Sequence, residues 1–125
     1  MNSRMEEILD VLKSDQGAFL QELDAAIAQN RDSAEFGAFF GFLIATIRSP
    51  EKVNWVALMN GIESFMADPL AEEQARLIGD FLLDGYSNFI SNGKFDVKWF
   101  QGPMGLKTRD YLNAYEAYHG SPVRY

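Results

Sequence analysis

Phe36-Gly37-Ala38-Phe39-Phe40-Gly41-Phe42-Leu43-Ile44-Ala45-Thr46-Ile47 is the longest uncharged run in the chain, and its reading decides the fold. It is apolar on nearly every face. A helix with no polar face is either the buried centre of a bundle or a membrane span. Spanning a bilayer takes about 20 apolar residues, and this run is too short for that. The run therefore predicts a central buried helix over 36–47. Gly37 and Gly41 lie four apart, on one side of such a helix, where a neighbouring helix can approach closely. Each glycine costs about 1 kcal/mol of helix propensity, so a packing reason is expected. The same spacing of small residues marks membrane helix pairs, and the length of the run decides against that reading.

The flanking punctuation is helical as well. Before the run, Asp32-Ser33-Ala34-Glu35 fits a capping box, as does Ser3-Arg4-Met5-Glu6 at the N-terminal end. The latter predicts a helix to about Lys13. Asp15 is placed to cap a second helix carrying Phe19, Leu20, Leu23 and Ile27, with Asn30 as its stop. After the run, Ser49-Pro50-Glu51 reads as a cap followed by proline at the first helical position. Trp55, Met59, Ile62 and Met66 then form one stripe. Asp68-Pro69 repeats the device and predicts the longest helix, to about Asn92, stopped by Gly93. Its inward face is expected to hold Leu70, Leu77, Ile78, Phe81, Leu82, Tyr86, Phe89 and Ile90. Lys94–Leu106, with Phe95, Trp99, Phe100, Gly102, Pro103 and Gly105, reads as an ordered loop with a short helix or extended piece near 95–100. A last helix fits Thr108–His119. No strand alternation is sustained. The expectation is an all-α, single-domain bundle of five or six helices over 1–125, with a Gly/aromatic loop before the last one.

Composition narrows the function classes. At 125 residues with 47% hydrophobic side chains, the chain can bury about two-thirds of its surface without staples. There is no cysteine and one histidine, which excludes disulfides, thiolate sites and multi-histidine metal centres. The net charge of −7 argues against binding nucleic acid or an anionic membrane, since phosphate would repel it. Met1–Glu7 turns acidic at once and lacks a signal-peptide apolar stretch. The expected location is the cytoplasm.

The charge is uneven. Residues 1–93 hold 15 acids and 6 bases, whereas 94–125 hold 3 acids and 5 bases. On the longest predicted helix, Glu72, Arg76, Asp80 and Asp84 recur every four residues with Glu73 beside them, on a face opposite Phe81 and Leu82. Such a stripe suits a basic protein surface, and it also suits the solvated face of an amphipathic helix. Trp99, in the loop that follows, is a candidate hydrophobic anchor. Tyr111, Tyr115 and Tyr118 form a packing stripe or a contact surface. Chemistry is harder to find. His119, with Glu116 three residues earlier, could serve as a base or only as a helix-end cation. Glu35 and Glu63, if they faced one another, could form a metal or acid–base site. No Gly-rich phosphate loop, nucleophile elbow or zinc spacing occurs. The expectation is no enzyme, no cofactor and no metal.

Glu51-Lys52-Val53-Asn54-Trp55-Val56-Ala57-Leu58-Met59-Asn60-Gly61-Ile62-Glu63-Ser64-Phe65, within 50–92, resembles a helix of certain immunity proteins of bacterial toxin–immunity systems, contact-dependent inhibition among them. Trp55, Ile62, Glu63, Ser64 and Phe65 carry the likeness. It implies a small cytoplasmic protein that binds a cognate toxin domain and blocks its active site, with no catalytic residues to carry over. Many such toxins are basic nucleases, which fits the acidity. Two other classes compete: an acidic regulator or phage-type inhibitor that mimics nucleic acid, and a helical ligand-binding or enzyme domain using Glu35, Glu63 or His119.

Overall fold

The computed structural model describes residues 3–125, and no strand occurs among them. α1 covers Ser3–Lys13 and buries Met5, Ile8, Leu9 and Leu12. Ser3, expected as its cap, is already helical, and the Glu6 carboxylate accepts from the Arg31 guanidinium instead of reaching back. Asp15 does not cap the second helix. It sits at φ 64° in a turn, followed by a 3-10 turn at Gly17–Phe19 and then α2, Leu20–Asn30. The turn is held from a distance: the buried Gln16 amide donates to Asn54 O (3.2 Å) and accepts from Asn54 N–H (2.9 Å).

α3 runs Gly37–Arg48. The Asp32–Glu35 box lies before it in a turn, where the Ser33 hydroxyl donates back to Asn30 O (2.7 Å), so neither capping bond forms. α2 packs along α3, and the two glycines are the reason it can. A β-carbon on Gly41 would lie 2.8 Å from the Ala26 carbonyl carbon and 2.9 Å from Ile27 Cα. Phe39 and Phe42 are fully buried, but Phe40 is 49% exposed, so the helix is not enclosed on every side. The helix that meets most others is α4, Trp55–Met66, which packs against α1, Glu72–Ile78, Lys98–Gln101 and Leu106–Tyr118. Ser49-Pro50 starts only a 3-10 turn, Pro50–Lys52. The cap of α4 is Asn54, whose Oδ1 accepts from Ala57 N–H (3.1 Å).

The longest helical run comprises α5 (Glu72–Ile78), a π-helical turn (Gly79–Leu83) and α6 (Asp84–Ser91). The Asp68 carboxylate accepts from Leu70 N–H (2.9 Å) in a turn that delays the helix to Glu72. Leu70, expected inward, is therefore 92% exposed. The π turn adds a residue to one helical repeat. That shift buries Leu82 and Leu83 side by side and leaves Phe81, Phe89 and Ile90 only partly covered. Gly79 supplies the room: a β-carbon there would meet the Tyr111 ring at 2.6 Å. Gly93, at φ 71°, closes the run as expected. Lys94 N–H bonds Phe89 O (2.9 Å) and Gly93 N–H bonds Ile90 O (3.0 Å), the paired arrangement of a Schellman end. α7, Lys98–Gln101, is the short helix of the aromatic loop, and α8 covers Leu106–Tyr118. With 72–91 taken as one rod, the described residues form seven helices rather than five or six. One buried cluster takes side chains from all of them, with Trp55, Tyr86, Phe95 and Phe100 at ring-centroid separations of 5.4–6.1 Å.

Candidate functional site

Trp55, Ile62, Glu63, Ser64 and Phe65 all serve the fold. Trp55, Ile62 and Phe65 are buried, and the Trp55 indole donates to Pro50 O (2.8 Å). The Ser64 hydroxyl bonds Gly61 O (2.6 Å). Glu63 does not face Glu35. It reaches the N-terminus of α8, where Oε2 accepts from Lys107 N–H (3.0 Å) and Oε1 from Thr108 N–H (2.9 Å) and Oγ1 (2.8 Å). Partial burial pushes this carboxyl up, but the donors outweigh it and the pKa ends below the ordinary value. A long-range carboxylate thus does what a local cap does elsewhere. Glu63→Ala should cost about 1–2 kcal/mol in urea unfolding. An unchanged midpoint would show that α8 holds without it.

Glu116 does not orient His119 either. It is 2% exposed and accepts from the Ser87 hydroxyl and from Tyr125 OH (3.2 Å). His119 is exposed and lies against the Tyr115 ring at 4.4 Å. Among the described residues, no three metal-ligating side chains gather in one place, and no helix is long and apolar enough to cross a membrane.

The acidic stripe is more divided than an ideal helix implies. Glu73 pairs with Arg4 (2.6 Å) and more loosely with Arg76 (3.7 Å). Glu72 lies with Glu73 in a shallow cleft beside Met66 and Tyr111. Asp80 and Asp84 line a different cleft, about 290 Å³, between α3 and the π turn. Phe81, expected on the opposite face, lines it with them, because the π turn rotates that ring toward α3. Phe36 and Phe81 stack at 4.1 Å to form its wall, and Phe40 and Phe89 complete the aromatic lining. Asp84 accepts from Tyr111 OH (2.8 Å). Burial, reinforced by Asp80, raises its pKa above the ordinary value despite that bond. Neither Asp80 nor Asp84 is ion-paired with a described base.

Glu35 lies in a third recess, beside Arg4, Glu73 and Asp80. Trp99 belongs to none of these clefts. It is half-buried on α7, with the Lys98 ammonium 5.8 Å from its ring centroid. The exposed Phe40 is the feature that sequence reasoning missed. The run 36–47 looks uniformly apolar, and only the placement of α2 and the π turn around it decides which ring stays uncovered. No protein-family model, no curated protein and no solved structure matches the chain.

Proposed function

We propose that the chain is a small acidic inhibitor of the immunity type, which binds a basic toxin domain and covers its active site. The observation that supports this is the cleft of Asp80, Asp84, Phe40, Phe81 and Phe89: partly exposed aromatic surface rimmed by carboxylates that form no ion pair among the described residues. Aromatic centres with charged rims are how specific protein interfaces are built. Two of the carboxylates that could serve catalysis are already engaged, Glu63 at the N-terminus of α8 and Glu116 with two hydroxyls. Mimicry of nucleic acid is less well supported, because Arg4 and Arg76 interrupt the row of carboxylates at Glu73.

The test is co-expression with a toxin domain encoded directly upstream. The chain should restore growth, and the purified pair should associate at a rate that falls steeply with salt. Killing that is unaffected by the chain would refute the proposal. Charge reversal sharpens the test. Asp80→Lys with Glu72→Lys should slow association and flatten its salt dependence, while stability stays within about 0.5 kcal/mol. Asp84 is a poor choice for reversal, because it also holds Tyr111. Unchanged association in the double variant would move the interface to the tyrosines of α8 or to the 94–106 loop.

A further inference from the structure

The cleft between α3 and the π turn has an unusual pairing of surfaces. Its wall is aromatic, with Phe36 and Phe81 stacked and Phe40 open to solvent. Its rim carries Asp80 and Asp84, two like charges one helical turn apart. Asp84 uses Oδ1 for Tyr111, and its Oδ2 takes no hydrogen bond from a described residue. Asp80 is exposed and Asp84 half-buried, and the two carboxylates repel one another over an apolar wall, so a cation between them relieves the repulsion and the partial burial of Asp84. A metal ion would need further ligands, and no third carboxylate or imidazole joins them among the described residues.

We propose that this cleft is an arginine socket, which takes one arginine side chain of the protein partner, with the guanidinium between Asp80 and Asp84 and its stem along Phe40 and Phe81. This rests on the protein-binding reading and adds the chemistry of the anchor. Arginine is favoured over lysine for physical reasons. Its planar fork of donors can bridge two carboxylates at once, and its face stacks on aromatic rings. Lysine presents one compact, strongly hydrated charge that does neither as well.

The probe is a capped tripeptide, acetyl-Leu-Arg-Phe-amide, titrated into the full chain and followed by NMR at the Gly85 amide and the Asn88 side chain, both of which line the cleft. The arginine peptide should shift these signals saturably, and its lysine counterpart should bind about tenfold more weakly. Asp84→Asn, which keeps an acceptor for Tyr111, and Asp80→Asn should each weaken binding about tenfold. Phe40→Ser, at an exposed position, should weaken it without disturbing the fold. Equal binding of the two peptides, indifference to Asp84→Asn, or signals that move elsewhere would overturn the proposal. So would concentration-dependent self-association that covers the same residues. If the peptide fails to bind while the chain still neutralises a toxin, the socket falls and the inhibitor reading stands. If the peptide binds but no toxin is neutralised, the reverse holds.

Discussion

Gly41→Ala should lower the unfolding free energy by about 3 kcal/mol, the upper end of what overpacking usually costs, and Gly41→Leu by more. The reason is what the added atom meets. A β-carbon at Gly41 lies 2.8 Å from the Ala26 carbonyl carbon and 2.9 Å from Ile27 Cα, and both are backbone atoms inside α2. A flexible side chain could swing away, but a helix backbone cannot. Relief therefore requires the whole α2–α3 pair to separate, which opens the contact around Ile27 and Phe42, both buried. Helix propensity acts the other way, since alanine favours the helix by about 1 kcal/mol over glycine, so the measured loss is net of that gain. In thermal unfolding the shift should be about 10 °C for a domain of this size. Gly102→Ala is the control, because nothing lies within 4 Å of its β-carbon position. If Gly41→Ala were as stable as the control, the close approach of α2 and α3 would be wrong.

Those glycines illustrate what a sequence can disclose. Gly37 and Gly41 at helical spacing in an uncharged run have one economical explanation, and α2 supplies it. Gly93 and Gly120 are equally legible, since a glycine after a helical stretch is the residue that tolerates positive φ, and both adopt about 70°. The N-terminal ends read less well. Asp15, Asp32 and Ser49 all have the chemistry of caps, yet α2 and α3 begin without side-chain caps and α4 is capped by Asn54. A capping side chain competes with every other acceptor that the fold brings near, and local pattern cannot see those. Glu63 is the clearest example, because it terminates a helix 44 residues away by hydrogen-bonding Lys107.

The site was legible only in part, for a related reason. Counting in fours along an ideal helix puts Glu72, Asp80 and Asp84 on one solvated face. The π turn at Gly79–Leu83 breaks the count, and Asp80 and Asp84 join Phe81 beside α3 while Glu72 stays beside Tyr111. The signal for that break is Gly79, whose missing side chain admits the Tyr111 ring. It becomes interpretable once α8 is known to cross there. Carboxylates chosen for their charge thus acquire an aromatic setting that charge alone does not predict.

Replacing the buried carboxylate of α8 should be the second large effect, and its size should depend on pH. Glu116 accepts from Ser87 and Tyr125, and Tyr125 is fixed in turn by its own N–H on Asn113 Oδ1 (2.8 Å) and its ring against Phe100 at 6.4 Å. Burial works against the charge of Glu116, but the hydroxyl donors prevail, so its pKa in the fold lies below the ordinary 4.5. The unfolded chain then binds the proton more readily than the folded one, and stability rises with pH across that interval. The contribution is fully present above the unfolded value and is lost as pH falls through the folded value. Glu63 acts with the same sign, whereas Asp84, whose pKa is raised, acts with the opposite one. Glu116→Ala removes the shared acceptor and leaves the Ser87 and Tyr125 hydroxyls only their long contact with one another (3.3 Å), beside a cavity, at a cost of about 3 kcal/mol at pH 7. Glu116→Gln keeps the shape and one acceptor and should cost less, about 1–2 kcal/mol at pH 7. Urea unfolding at pH 7 and at pH 3 separates charge from packing. The Glu116→Gln penalty should shrink at the lower pH, where the native side chain is also becoming neutral. A penalty that is the same at both values would mean that the carboxylate enters the fold already protonated, and that Ser87 and Tyr125 answer to its shape rather than its charge.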